Sequence, residues 1–84
     1  MNRNQDLFST NDLSLAAAII ATRTSSVSQI DWKGREAFFQ FHNSPTLERV
    51  VSEFWNKDLS SDCLTYFEAM RYLKKRLFGG RDAQ

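Results

Sequence analysis

The only histidine and the only cysteine of the chain, His42 and Cys63, are the residues from which nucleophilic catalysis could be built. A thiolate is the reactive form of cysteine, and the N-terminus of a helix favours it, so Cys63 at the start of an expected helix is a candidate nucleophile. Cys63 also begins an apolar helical stripe, however, and His42 ends an expected strand. We therefore expect a packed thiol and a solvated imidazole, and no catalytic residue.

Metal and phosphate chemistry also lack the residues that they need. One histidine with one cysteine cannot form a closed zinc site alone, and no two acidic residues have a spacing that indicates a general acid and a general base. The three glycines do not form a phosphate-binding loop, and Lys33-Gly34-Arg35 is explained by a hairpin turn. We expect no metal, no cofactor, no small-molecule substrate and no enzymatic activity.

A basic and aromatic group in the last expected helix is the strongest candidate for a binding site. Its members are Arg71, Tyr72, Lys75 and Arg76, which helical spacing places on the outward side. Cations pair with phosphates and aromatic rings stack on bases, so the group suits nucleic acid. Tyrosine and arginine are also favoured in protein interfaces, so it equally suits an acidic protein partner. A plain solvated face, with Glu68 paired to Arg71, is the third interpretation.

The charge of the chain is divided unevenly along its length. The formal net charge is +1, but residues 1–70 hold six basic and nine acidic side chains, and residues 71–84 hold five basic and one acidic. The terminal segment is therefore at +4 and the rest at −3. A positive C-terminal helix could attract an anionic partner, although cations there also complement the helix macrodipole.

The first expected helix offers a second candidate surface. Between Leu13 and Ala21 every residue except Ser14 is apolar, so no solvated face is evident. A second copy of the chain could cover the surplus through Leu15, Ile19 and Ile20. The alternative is that a hairpin covers one side of this helix and two further helices cover the other, which would make the chain a monomer.

A β-hairpin follows the first helix. Val27 to Trp32 and Arg35 to His42 alternate apolar and polar residues on either side of Lys33-Gly34, and Gly34 can adopt the positive φ of a tight turn. Alternation places one apolar set on a common face of the hairpin: Ile30, Trp32, Phe39 and Phe41.

Two more helices complete the chain. Ser44 and Pro45 are typical of a helix start, and Ser60 to Asp62 supply the cap of a third helix, which we expect to end at Phe78 with Gly79 as its C-cap. The apolar stripe of that helix is expected to contain Cys63, Tyr66, Phe67, Met70, Leu73 and Leu77. The sequence predicts an α+β domain over residues 8–79, in the order α-β-β-α-α, with a two-stranded antiparallel hairpin packed against three helices. Residues 1–7 and 80–84 are expected to be flexible.

Several short segments together resemble a known type of domain: Leu7-Phe8-Ser9-Thr10, Asp12 to Ala18, Ser44-Pro45-Thr46-Leu47, Phe54-Trp55-Asn56 and Phe67 to Arg76. The pattern is similar to a family of short uncharacterised prokaryotic domains, a domain of unknown function, over roughly residues 7 to 78. The departure is Thr22 to Ser28, where the family would have an apolar residue and a glycine. The resemblance implies an association with phage or other mobile elements and transfers no active site.

Composition bounds the remaining possibilities. A single cysteine excludes an intramolecular disulfide, and the longest apolar run, Ala16 to Ala21, is too short to span a bilayer, so we expect a cytoplasmic protein with no membrane partner. The leading hypothesis is a small non-catalytic module that binds a protein partner or its own copy. The alternative is a nucleic-acid-binding protein that uses the basic aromatic face of the last helix.

Overall fold

A computed structural model describes the backbone of residues 7–82 and the side chains of residues 7–78. The elements follow the order β1 (Leu7–Thr10), α1 (Leu13–Ala21), β2 (Val27–Lys33), β3 (Glu36–His42), α2 (Pro45–Trp55) and α3 (Cys63–Asp82). The α+β class agrees with the prediction, but the sheet has three antiparallel strands rather than two, in the order β1-β3-β2. The expected flexibility of residues 1–6, 83 and 84 lies outside the described residues.

The strand β1 is the element that the sequence did not predict. It spans four residues, of which Ser9 and Thr10 could also be read as helix caps, and it pairs with β3 so that Phe8 lies opposite Phe41. The cap of α1 is Asp12 instead, whose Oδ1 accepts hydrogen bonds from the backbone N–H groups of Ser14 at 2.9 Å and Leu15 at 3.2 Å. The order α-β-β-α-α is therefore corrected to β-α-β-β-α-α.

The predicted hairpin is present as β2 and β3. Its turn is Gly34-Arg35 rather than the predicted Lys33-Gly34, because Lys33 still pairs within β2. The φ of Gly34 is 64°, which agrees with a two-residue turn that has glycine at its first central position. The pairing of β2 with β3 shifts between Val27 and Gln29, so a bulge lies near the start of β2.

The helix α1 lies at the centre of the core. Five consecutive residues of α1 are buried. Four of them pack with buried residues of β3, α2 and α3. Together they form the core cluster, which consists of Leu15, Ala16, Ala17, Ile19, Phe39, Phe41, Leu47, Val50, Ala69 and Leu73. Small residues at the centre allow the helices to approach closely. The predicted aromatic face is buried at Phe39 and Phe41, whereas Trp32, at the end of that face, is 41% exposed.

The helix α3 packs with one side only. Ala69 and Leu73 are buried against the core, and Tyr66, Met70 and Leu77 are partly buried beside them. The helix does not end at Phe78 as predicted but continues through the two glycines to Asp82. Because α1 packs against this one side of α3, the opposite side is exposed over the described side chains of the helix, residues 63–78.

Candidate functional site

The four residues predicted to bind a partner all lie on the exposed part of α3, but they form two groups. The guanidinium of Arg71 lies over the ring of Phe67, with 5.8 Å between its carbon and the ring centroid. Arg76 donates a hydrogen bond from Nη1 to the hydroxyl oxygen of Tyr72 at 2.8 Å and covers the tyrosine ring. At 100° per residue, Arg71 and Arg76 point about 140° apart around the helix.

The expected ion pair between Glu68 and Arg71 is not formed. Among the side chains of residues 7–78, the only ion pair joins Arg49 and Glu53 on α2, with 3.8 Å between Nε and Oε2. Glu68 instead shares a shallow depression of about 340 Å³ with Arg71, Tyr72 and Lys75. The basic residues of α3 are therefore open to an external anion.

A continuous stripe on α3 combines exposed apolar and basic side chains. Leu64, Phe67 and Phe78 are 62%, 57% and 56% exposed, which is unusual for large apolar residues on a helix that also packs against a core. Cationic side chains lie between them, and Arg71, Lys74, Lys75 and Phe78 line one depression of about 330 Å³. We call this surface the α3 face; it consists of Leu64, Phe67, Arg71, Lys74, Lys75 and Phe78.

The spacing of the α3 face has a recognisable period. Leu64, Phe67, Arg71, Lys74 and Phe78 follow one another at alternate intervals of three and four residues. This period keeps side chains in a line along a helix and is the one that helices use to pack against other helices. With a rise of 1.5 Å per residue, the face extends about 21 Å along α3.

The local charge of this surface is positive. Residues 64–78 contain four basic side chains and one acidic side chain, a net charge of +3, whereas the whole chain is at +1 and its remainder at −2. Because α3 continues to Asp82, these cations lie more than one turn before its C-terminus, where the helix macrodipole has little effect. Their exposure leaves them available for a partner.

Sequence reasoning missed part of this surface. Phe67 was assigned to the core stripe, and Leu64, Lys74 and Phe78 were not assigned to a site. Phe67 is exposed because the buried stripe is centred on Leu73 and Ala69, and residue 67 lies more than 100° from that centre. The sequence did contain the signal, a second stripe of residues with the same three and four spacing on the opposite side of the helix.

The candidate surface for self-association is buried within the chain. Leu15 and Ile19 belong to the core cluster, and Ile20 is half-buried against it. Residues of α3, α2 and the sheet cover α1, so one chain alone buries most of its apolar residues. Neither Leu15 nor Ile19 offers a side-chain surface to a second copy in this fold.

The candidate catalytic pair is not brought together. His42 lies at the end of β3, and since Phe41 points into the core, alternation directs His42 to the outward face of the sheet. Cys63 begins α3 and is exposed, so the expected packed thiol is wrong: the core contacts of α3 begin only at Tyr66, and Cys63 lines an apolar pocket of about 300 Å³ with Phe54 and Tyr66. No group of three metal-ligating side chains occurs among the described residues.

Among the described titratable groups, one at the N-terminus of α3 has a clearly shifted pKa. The pKa of Asp62 lies below its ordinary value of 3.8, mainly because its carboxylate accepts a hydrogen bond from the backbone N–H of Thr65 and also one from the hydroxyl of Thr65. Both bonds favour the ionised form. Asp62 therefore acts as a helix cap, as the sequence predicted for this segment.

Comparisons with models of protein families, with curated proteins and with solved structures find no match for this chain. The resemblance to a short prokaryotic domain therefore stays a prediction. Within the described part of the chain, no helix has both the length and the apolar character needed to cross a membrane.

Proposed function

We propose that this chain is a non-catalytic module that binds a partner protein by docking an acidic, amphipathic helix of that partner on the α3 face. The observation that carries the proposal is the line of three large, exposed apolar side chains, Leu64, Phe67 and Phe78, with cations between them. Exposed apolar surface costs free energy unless a partner covers it. A helix is the occupant that matches the three and four spacing.

The chemistry of the partner follows from charge. Residues 64–78 carry a net charge of +3. Acidic residues that flank an apolar stripe on the partner helix would therefore pair with Arg71, Lys74 and Lys75. Two copies of the α3 face would bring like charges together, which disfavours self-recognition through this surface. An acidic helix of another protein is therefore the favoured partner.

Nucleic acid is the second candidate, and one observation favours it. Tyr72 is 45% exposed and lies beside Arg71 and Lys75, which is a combination that can stack a base and pair with a phosphate. Glu68 lines the same depression and would repel a phosphate, and Arg76 already bonds to the hydroxyl of Tyr72. The apolar side chains Leu64 and Phe67 have no role in phosphate binding, so we favour protein.

The experiment measures the affinity of three labelled probes for the purified chain by fluorescence anisotropy. The first is a synthetic helical peptide of about 18 residues, long enough to cover the face at 1.5 Å per residue, with leucines at three and four spacing and glutamates beside them. The second carries lysine in place of each glutamate, and the third is a mixed-sequence DNA duplex. We expect the acidic peptide to bind most tightly, with an affinity that falls as salt rises.

Variants then locate the binding surface. Phe67→Ala should weaken binding of the acidic peptide about tenfold, as for a central aromatic contact in an interface. The double variant Arg71→Ala/Lys75→Ala should weaken it and flatten its salt dependence, while Arg49→Ala/Lys57→Ala removes the same charge away from the face and should leave both unchanged. If the chain binds the DNA duplex most tightly and Phe67→Ala leaves that affinity unchanged, nucleic acid is the partner. If the chain binds none of the three probes, both candidates are rejected.

A further inference from the structure

A groove lies between the tip of the hairpin and the C-terminal half of α3. It has a volume of about 310 Å³, at the lower end of the range for binding pockets. Its apolar lining comes from three elements and from the start of α1: Leu13, Trp32, Ala37, Phe39, Leu77 and Phe78. We call it the hairpin groove.

The lining of the hairpin groove suits a large apolar group. Phe39 is almost fully buried and belongs to the core, so the floor of the groove is fixed by core packing. Trp32 and Phe78 contribute partly exposed rings to its sides. An aromatic side chain that entered here would contact ring edges and aliphatic carbon, which are the surroundings that aromatic groups prefer.

The rim of the groove carries one acidic and one basic side chain. The Glu36 carboxylate accepts a hydrogen bond from Asn11 Nδ2 at 3.0 Å, which partly satisfies it. Arg35 is exposed in the hairpin turn and forms no ion pair with any described side chain. Among the described side chains, the rim therefore offers one cation without an ion-pair partner, Arg35, beside the Glu36 carboxylate.

The hairpin groove and the α3 face are continuous. Phe78 lines the groove with Trp32 and Leu77, and it also lines the depression that contains Arg71 and Lys74. A helix that lies along the α3 face would therefore reach the mouth of the groove at one end. The groove is present at the Phe78 end of the face, so the two ends are not equivalent.

We propose that the hairpin groove receives an aromatic side chain at one end of the acidic partner helix, and that Arg35 pairs with an acidic residue beside that aromatic. This inference rests on the proposed function and adds to it the direction in which the partner helix lies. Aromatic anchors that fill a pocket supply much of the affinity of an interface, whereas the surrounding contacts supply complementarity. The pocket thus selects one end of the partner.

The experiment compares the acidic peptide defined above with two versions that carry one phenylalanine at the N-terminal or the C-terminal end. One of these versions, and not both, should bind about tenfold more tightly than the parent peptide. The gain should disappear in Ala37→Leu, which fills the groove, while the affinity of the parent stays unchanged. Arg35→Ala should reduce the gain without affecting the parent.

A second readout does not depend on a variant that must fold. In the wild-type chain, the version that gains affinity should shift the indole N–H resonance of Trp32 more than the parent does, whereas the indole of Trp55, at the end of α2, should respond equally to both. Three results would overturn the groove inference and leave the α3 face in place. They are an equal gain in affinity from phenylalanine at either end, a gain that survives in a folded Ala37→Leu variant, and an indole resonance of Trp32 that does not shift.

The two proposals fail in distinguishable ways. If the parent peptide binds and neither phenylalanine raises its affinity, the α3 face is supported and the aromatic anchor in the hairpin groove is rejected. A parent that does not bind while one phenylalanine version does rejects the α3 face as the docking surface and supports the groove. Absence of binding by all three peptides rejects both.

Discussion

Two large apolar side chains on α3, Leu73 and Phe67, should respond very differently to truncation. Leu73 is 0% exposed, and replacing a buried leucine by alanine costs about 3 kcal/mol, because the transfer free energy is lost and a cavity remains. Phe67 is 57% exposed, so the burial that Phe67→Ala removes is worth roughly 1 kcal/mol. The lost contact with Arg71, about 0.5 kcal/mol, is offset by the higher helix propensity of alanine.

Unfolding by denaturant, monitored by circular dichroism, measures the loss of unfolding free energy in Leu73→Ala and in Phe67→Ala. For a domain of this size about 3 kcal/mol lowers the melting temperature by roughly 12 to 24 °C, and about 1 kcal/mol lowers it by roughly 4 to 8 °C. Each variant must unfold with the wild-type dependence on denaturant, since a changed slope would mean a changed native or denatured state. Equal losses for Leu73→Ala and Phe67→Ala would refute the orientation of α3 and with it the α3 face.

Three further predictions concern caps and turns. Ser44→Ala removes the Oγ that accepts a hydrogen bond from the N–H of Leu47 at 3.0 Å, and thermal unfolding should show a loss of about 1 kcal/mol. Gly34→Ala should cost about 1 to 2 kcal/mol in the same assay, from backbone strain alone, because φ is 64° and no atom lies within 4 Å of the added Cβ. If Ser44→Gly lost as much stability as Ser44→Ala, the explanation by capping would be wrong. If Gly34→Asn lost as much as Gly34→Ala, the explanation by backbone strain would be wrong. The pKa of Asp62 is lowered by folding, so its contribution to stability is present above the unfolded-state pKa and is lost as pH falls through the folded-state pKa. Unfolding measured from about pH 7 to about pH 2 should therefore show a difference between wild type and Asp62→Asn that narrows with acidification, and a constant difference would contradict this assignment.

Local signals predicted most of the elements. The cap at Ser44, the proline at the first position of α2 and the glycine of the hairpin each act through a few neighbouring atoms, so their meaning does not depend on the rest of the fold. The strand β1 was missed because four residues with two hydroxyl groups also read as a cap. Its pairing with β3, 29 to 35 residues away, determines its structure.

The candidate site was predicted only in part. Helical spacing correctly placed Arg71, Tyr72 and Lys75 outside, but it could not decide where the apolar stripe of α3 ended, because apolar residues extend over more than half of its circumference. The narrow contact of α3 with alanine-rich α1 is what leaves Phe67 exposed. That contact depends on tertiary packing rather than on the pattern within α3.

The most direct test of the α3 face is a two-dimensional ¹⁵N–¹H NMR titration of the wild-type chain with the acidic helical peptide. We predict that amide shifts concentrate on the outward positions of residues 64–78, with little change in α2 or on the outward face of the sheet. Shifts centred on α2 or on the outward face of the sheet would contradict the account, and so would a spectrum that the peptide leaves unchanged.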